Sequence, residues 1–178
     1  VYWDYDGGGL GDMGQHYLDP VQYLLGKDDT SPVEVEVDAP QQHPDAVGSW
    51  RKITLRYDDG CEIVLDGEGF SVDQPYIEGP NGKLFKNLRV EIKGKEKVLR
   101  GLPDPGPQEG DFYACVRNRR KFALNEANGH RSCTLVNLGT TAVRLGRNLK
   151  YDPVKQEFVG DEEANRLIFQ PMRGPWRV

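Results

Sequence analysis

The sequence predicts an α+β domain, a mostly antiparallel open β-sheet with helices packed on one of its faces. Three observations carry this expectation. Two-residue alternation recurs between residues 33 and 94, with glycine-bearing turns between the runs. Helical periodicity brackets that block, before it at residues 11–26 and after it at 108–122 and 130–148. No strand–helix–strand alternation is present, so nothing argues for a parallel sheet.

The elements follow in order. Residues 11–26 read as a helix, with Tyr17, Val21, Leu24 and Leu25 as its apolar face, Gly26 as its stop and Pro20 expected to kink or divide it. "VEVEVDA" (33–39) alternates cleanly, and "WRKITLRYDDGCEIVLDG" (50–67) is a hairpin turning at Asp59-Gly60. Ile53, Leu55 and Tyr57 alternate with Lys52, Thr54 and Arg56, which buries one sheet face and leaves the other to solvent or a second subunit. "PYIEGPNGKLFKN" (75–87) is a second hairpin, followed by the strand "LRVEIKG" (88–94) and a Pro/Gly connection at 102–110. The 108–122 helix takes Phe112, Cys115 and Val116 as its inner edge. In the 130–148 helix Leu135, Leu138, Ala142 and Leu145 face inward, Gly139 marks a close approach and Ser132 is a candidate cap. A short strand or hairpin, a brief helix and an extended arm at 170–176 complete the chain.

Bulk properties narrow the function. At 178 residues the chain suits a single domain, residues 1–178, of a size that buries roughly 70% of its unfolded surface without a disulfide or metal staple. With 37% apolar and 29% charged residues it is globular rather than disordered. A net charge of −5, and a richest basic run ("VRNRRKF", 116–122) that suits an exposed helix end, exclude an extended nucleic-acid footprint. No apolar run approaches the roughly 20 residues needed to span a bilayer, so no membrane partner is expected. Cys61, Cys115 and Cys133 have no metal-type spacing and are expected to be buried free thiols. The first residue is Val, which points to a piece of a longer protein. Its compartment stays open, with cytoplasm favoured over periplasm.

The stretch "GGGLGDMGQHYLDPVQYLLG" (7–26) places Asp12, His16 and Asp19 at spacings of four and three. It resembles the segment that opens the C-terminal domain of the Gfo/Idh/MocA oxidoreductases: glycines (Gly7–Gly9), then Asp12, Gly14, His16 and Asp19. "EANGHRSCTLVNLGTTAVRLGRNLKYDP" (126–153), "FVGDEEANRLI" (158–168) and "RGPW" (173–176) resemble the bacterial subgroup of that domain. The resemblance implies the substrate-binding and oligomerising half of a two-domain dehydrogenase. NAD or NADP is bound by a Rossmann domain that also supplies a catalytic lysine from a Glu-Lys-Pro motif. The expected substrate is a sugar or polyol, and a homo-oligomer is expected to form through the open sheet face. This chain has neither that motif nor a G-x-G-x-x-G after a strand, so no cofactor is expected on it and it is expected to be inactive alone.

Oxidising a secondary alcohol requires a base with a pKa near working pH, a role that histidine fills. Asp12 and His16 share a helical face. Their spacing alone favours a solvated pair. The glycines and the family likeness turn the reading toward His16 as acid–base residue, Asp12 as its partner or a substrate ligand, and Asp19 as support. His130 and Arg131 are either a helix start or substrate-facing residues, and Trp3 is either a sugar-stacking wall or terminal packing. A metal held by Asp12, His16 and Asp19 is the less favoured reading, and none is expected. Two further classes stay open, a non-catalytic carbohydrate-binding or assembly module and a metal-assisted sugar hydrolase or isomerase.

Overall fold

A computed structural model describes residues 2–5, 7–69, 71, 73–86, 89–97, 108–169 and 174–175. The connection at 98–107 and most of the 170–176 arm lie outside these residues. The chain forms two compact units, one built from Val1–Glu68 with Ala123–Val178 and the other from Gly69–Phe122.

The first unit is built on five strands: β1 (Glu34–Asp38), β2 (Lys52–Arg56), β3 (Glu62–Asp66), β7 (Leu149–Asp152) and β8 (Glu157–Phe158). Their order is β3-β2-β1-β7-β8 and every pairing is antiparallel. The register puts Val35 opposite both Leu55 and Leu149, and Leu55 opposite Ile63. Alternation therefore sends these apolar side chains to one face, where all four are buried. On the other face Arg56 donates to Glu34 (2.8 Å), Glu36 (2.9 Å) and Glu62 (2.7 Å). The β2–β3 hairpin turns at Asp59-Gly60, where the Gly60 N–H bonds the Tyr57 carbonyl at 3.1 Å. Gly60 has φ +83, a value that favours glycine.

Two long helices cover the apolar face. Helix α3 (Glu126–Leu145) lies on β1 and β2, and helix α1 (Gly8–Leu24) packs against α3. At their crossing Leu10 fits between two glycines. A Cβ on Gly14 would stand 2.8 Å from one Leu10 methyl, and a Cβ on Gly139 would stand 2.9 Å from the other. Gly139 thus marks the close approach expected of it.

Several expectations about the helices are corrected. Helix α1 starts at Gly8 rather than at residue 11, so Gly8 and Gly9 form its first turn, with Gly7 at the cap. It runs through Pro20 as one element. Proline removes the N–H that would bond the His16 carbonyl, and packing on α3 outweighs that loss. Its buried stripe is Leu10, Gly14, Leu18 and Gln22; of the expected face Val21 and Leu25 are half-buried against the core, whereas Tyr17 and Leu24 are 58% and 55% exposed. The glycine-lined crossing rotates the helix away from the face that hydropathy alone selects.

Helix α3 begins four residues earlier than expected because Asn125 caps it, accepting from the Ala127 N–H at 3.0 Å. Ser132 is therefore not a cap but a fully buried residue in the second turn. Cys133 is exposed on the outer side of α3, while Cys61 is half-buried and Cys115 buried. After Gly146 (φ +63) come β7, β8 and the short helix α4 (Glu162–Arg166).

The second unit holds β4 (Pro75–Gly79), β5 (Gly82–Phe85), β6 (Val90–Glu91) and helix α2 (Gln108–Asn118). The three strands are antiparallel in the order β4-β5-β6, and Pro80-Asn81 turns the hairpin. A Cβ on Gly82 would lie 2.3 Å from the Glu91 carbonyl oxygen, so only glycine fits there. Of the expected inner edge of α2, Cys115 alone is buried, since Phe112 and Val116 are both about half exposed.

Candidate substrate pocket on helix α1

Helix α1 and the start of α3 line an open cavity of about 340 Å³. From α1 it is lined by Gln15, His16, Asp19 and Pro20. From the segment that enters α3 it is lined by Leu124, Asn125, Asn128 and Gly129. Helical spacing brings the α1 group together, because positions 15, 16 and 19 occupy adjoining sectors of one helix surface. The α3 group owes its place to the Asn125 cap, which starts the helix early enough to bring Asn128 over the cavity.

The polar groups here are held by one another. Asn125 donates from Nδ2 to the Ala123 carbonyl at 3.3 Å and to Asn128 Oδ1 at 2.6 Å. On the facing helix Gln15 donates from Nε2 to Ser132 Oγ, which ties the cavity wall to a side chain that is wholly buried.

The other expected residues are distributed differently. The Asp12 side chain is exposed, is not among the residues lining this cavity and makes no hydrogen bond to the His16 imidazole. Trp3 and His130 border a second, larger groove of about 760 Å³ that runs over the outer side of α3, and Gln15 borders both. Trp3 is only 6% exposed. Its indole N–H donates to the His43 carbonyl at 3.2 Å and its ring lies 5.5 Å from the Arg144 guanidinium. Arg131 lines neither cavity and donates to Ser31 Oγ at 3.3 Å. The structure thus brings His16 and Asp19 together and leaves the other four elsewhere.

Gln15, Asn125 and Asn128 were missed by reasoning from sequence. One signal for them was present. Asn125 followed by Glu126 is a helix start, and extending α3 back to it puts Asn128 in the first turn.

Chemically, the cavity offers an imidazole, a carboxylate and amides, with no Lys or Arg among its described lining residues. That set suits a neutral polyhydroxylated compound. Among the described residues no group of three His, Cys, Asp or Glu side chains is placed to hold a metal. The described strands pair only antiparallel. No helix among them is long and apolar enough to cross a membrane.

The family model described as the C-terminal alpha/beta domain of an oxidoreductase family matches residues 1–178, the whole chain. No curated protein and no solved structure matches it.

Proposed function

Because the chain belongs to the Gfo/Idh/MocA oxidoreductases, as their C-terminal α/β domain, we propose that its first unit is the substrate half of a sugar or polyol dehydrogenase. One observation carries this reading. His16 and Asp19, two of the three polar residues of the opening motif, line a single cavity whose remaining polar lining is amide and whose described residues include no cation. In the proposed reaction a secondary hydroxyl is oxidised, and His16 takes its proton. Asp19 accepts from a substrate hydroxyl or from the imidazole. Asp12, one turn before His16 and exposed, contributes negative charge near a protonated imidazole. The hydride on the same carbon passes to NAD or NADP, which by the family likeness is bound on a nucleotide-binding domain outside this chain. Trp3 and His130 belong to the second groove in this reading, and Arg131 supports the fold through Ser31.

The test is His16→Ala in the full-length protein that carries this domain. Turnover is expected to fall by roughly 10²–10⁴. The melting temperature should hold, because the His16 side chain is exposed and makes no hydrogen bond in the fold. A variant with normal turnover would remove His16 from the chemistry.

A further inference from the structure

Asn125 has only one orientation in which its amide is satisfied. Its Oδ1 accepts from the Ala127 N–H (3.0 Å), while its Nδ2 donates to the Ala123 carbonyl (3.3 Å). Turned over, it would set oxygen against a carbonyl and NH₂ against an N–H, two repulsions in place of two bonds. The Nδ2 also reaches Asn128 at 2.6 Å, so the Asn128 atom that meets it must be the oxygen. Asn128 is then fixed in turn. Its Oδ1 is occupied and its Nδ2 carries two N–H groups with no partner among the described residues, on a half-buried side chain that lines the His16 cavity.

Gln15 on the opposite wall differs. Its partner is the Ser132 hydroxyl, which donates as readily as it accepts, so either end of that amide can face the cavity. Asn125 spends its fixed Nδ2 on Ala123 and Asn128, so Asn128 is the lining amide that is held in one orientation, through Asn125, and still has its Nδ2 to offer.

We propose that Asn128 is a specificity-determining residue that donates from Nδ2 to an oxygen of the substrate other than the one His16 deprotonates. The substrate class that follows is an uncharged, unphosphorylated polyol of single-ring size. A fixed donor recognises a hydroxyl or ring oxygen. A phosphate or carboxylate would meet Asp19 with no Lys or Arg among the described lining residues, which leaves only the catalytic lysine expected from the nucleotide domain to offset it. A volume of about 340 Å³ lies at the small end of ligand cavities. This inference rests on the dehydrogenase reading above and deepens it.

The experiment uses the full-length enzyme with excess cofactor and a panel of hexoses, pentitols and cyclitols, their monodeoxy analogues and their phosphate esters. Neutral polyols are expected to be turned over and their phosphate esters rejected. For the best neutral substrate, one monodeoxy analogue should lose about tenfold in kcat/KM against wild type, the scale of one hydrogen bond. Against Asn128→Ala that same analogue should lose nothing, because the bond is already gone. Asn128→Asp, which keeps the shape and the Asn125 bond but replaces the donor by an acceptor, should raise KM at least as much. A merely structural Asn128 would lower all substrates alike and preserve the discrimination, which overturns the inference. Turnover confined to phosphate esters overturns it too. If Asn128 variants behave as wild type while His16→Ala is inactive, the inference fails and the dehydrogenase reading stands. If His16→Ala is active, that reading fails first.

Discussion

At the scale of single residues, Asp161 shows how one carboxylate joins two parts of the fold. It caps helix α4 by accepting from the Ala164 N–H at 2.9 Å, and it receives Arg147 through Nη2 (2.9 Å) and Nε (3.1 Å). The Arg147 guanidinium first, and the Ala164 N–H second, hold its carboxyl below the usual aspartate range. An acid whose pKa is lowered on folding stabilises fully above its unfolded value, and that contribution disappears as pH falls through the lowered one. Asp161→Asn is therefore expected to melt earlier than wild type at pH 7. The gap should close in melts run well below the ordinary aspartate pKa of about 3.9. A gap that is the same at both pH values would contradict the assignment. The contrast with Asp12 is instructive. Its spacing from His16 permits a bond from the imidazole to its carboxylate, but none forms, and it is the motif's other acidic residue, Asp19, that shares the cavity.

At the scale of elements, the contact of α1 with α3 positions the site. Leu10 between Gly14 and Gly139 fixes how closely the helices approach and how each is turned, and with that which α1 residues face the start of α3. Gly139→Val would push β-branched bulk into the space of the Leu10 methyl, and overpacking of this kind costs about 1–3 kcal/mol. Chemical denaturation should show that loss. Gly139→Ala should cost less, because a single methyl displaces only the tip of a flexible side chain and alanine is the better helix former. If the valine variant unfolds at the wild-type midpoint, the crossing is looser than described. Its other consequence is functional, since a shifted α1 moves His16 and Asp19 relative to Asn128.

At the scale of the whole molecule, the outer face of the five-stranded sheet is the surface proposed for self-association. Arg56 bridges Glu34, Glu36 and Glu62 and offsets one of their three negative charges, and Val64 stands 49% exposed beside Thr54. Sedimentation of the chain should reveal a concentration-dependent oligomer. Val64→Glu should weaken it without lowering stability, because Val64 does not face the core. A wild-type chain that stays monomeric at high concentration would dispose of the proposal.

Much of this was legible from residues alone, for reasons of periodicity. The alternation of "VEVEVDA" and of the 50–67 hairpin fixed strands, faces and a turn, because side-chain direction along a strand is set locally. The 7–26 motif gave helix α1 and its family, and the Leu135–Leu138–Ala142 spacing gave the inner face of α3. What the sequence could not determine is which turn of one helix meets which turn of another. The apolar face of α1 was expected at Tyr17, Val21, Leu24 and Leu25 from their helical spacing, and Val21 and Leu25 do pack against the core while Tyr17 and Leu24 are exposed. The fold chose the Gly14 side because only a bare backbone admits so close a crossing. That choice sets Asn125 and Asn128 beside His16 and leaves Asp12, Trp3, His130 and Arg131 outside its cavity. Local pattern determined the pieces, and van der Waals fit between two distant helices decided the company that His16 keeps.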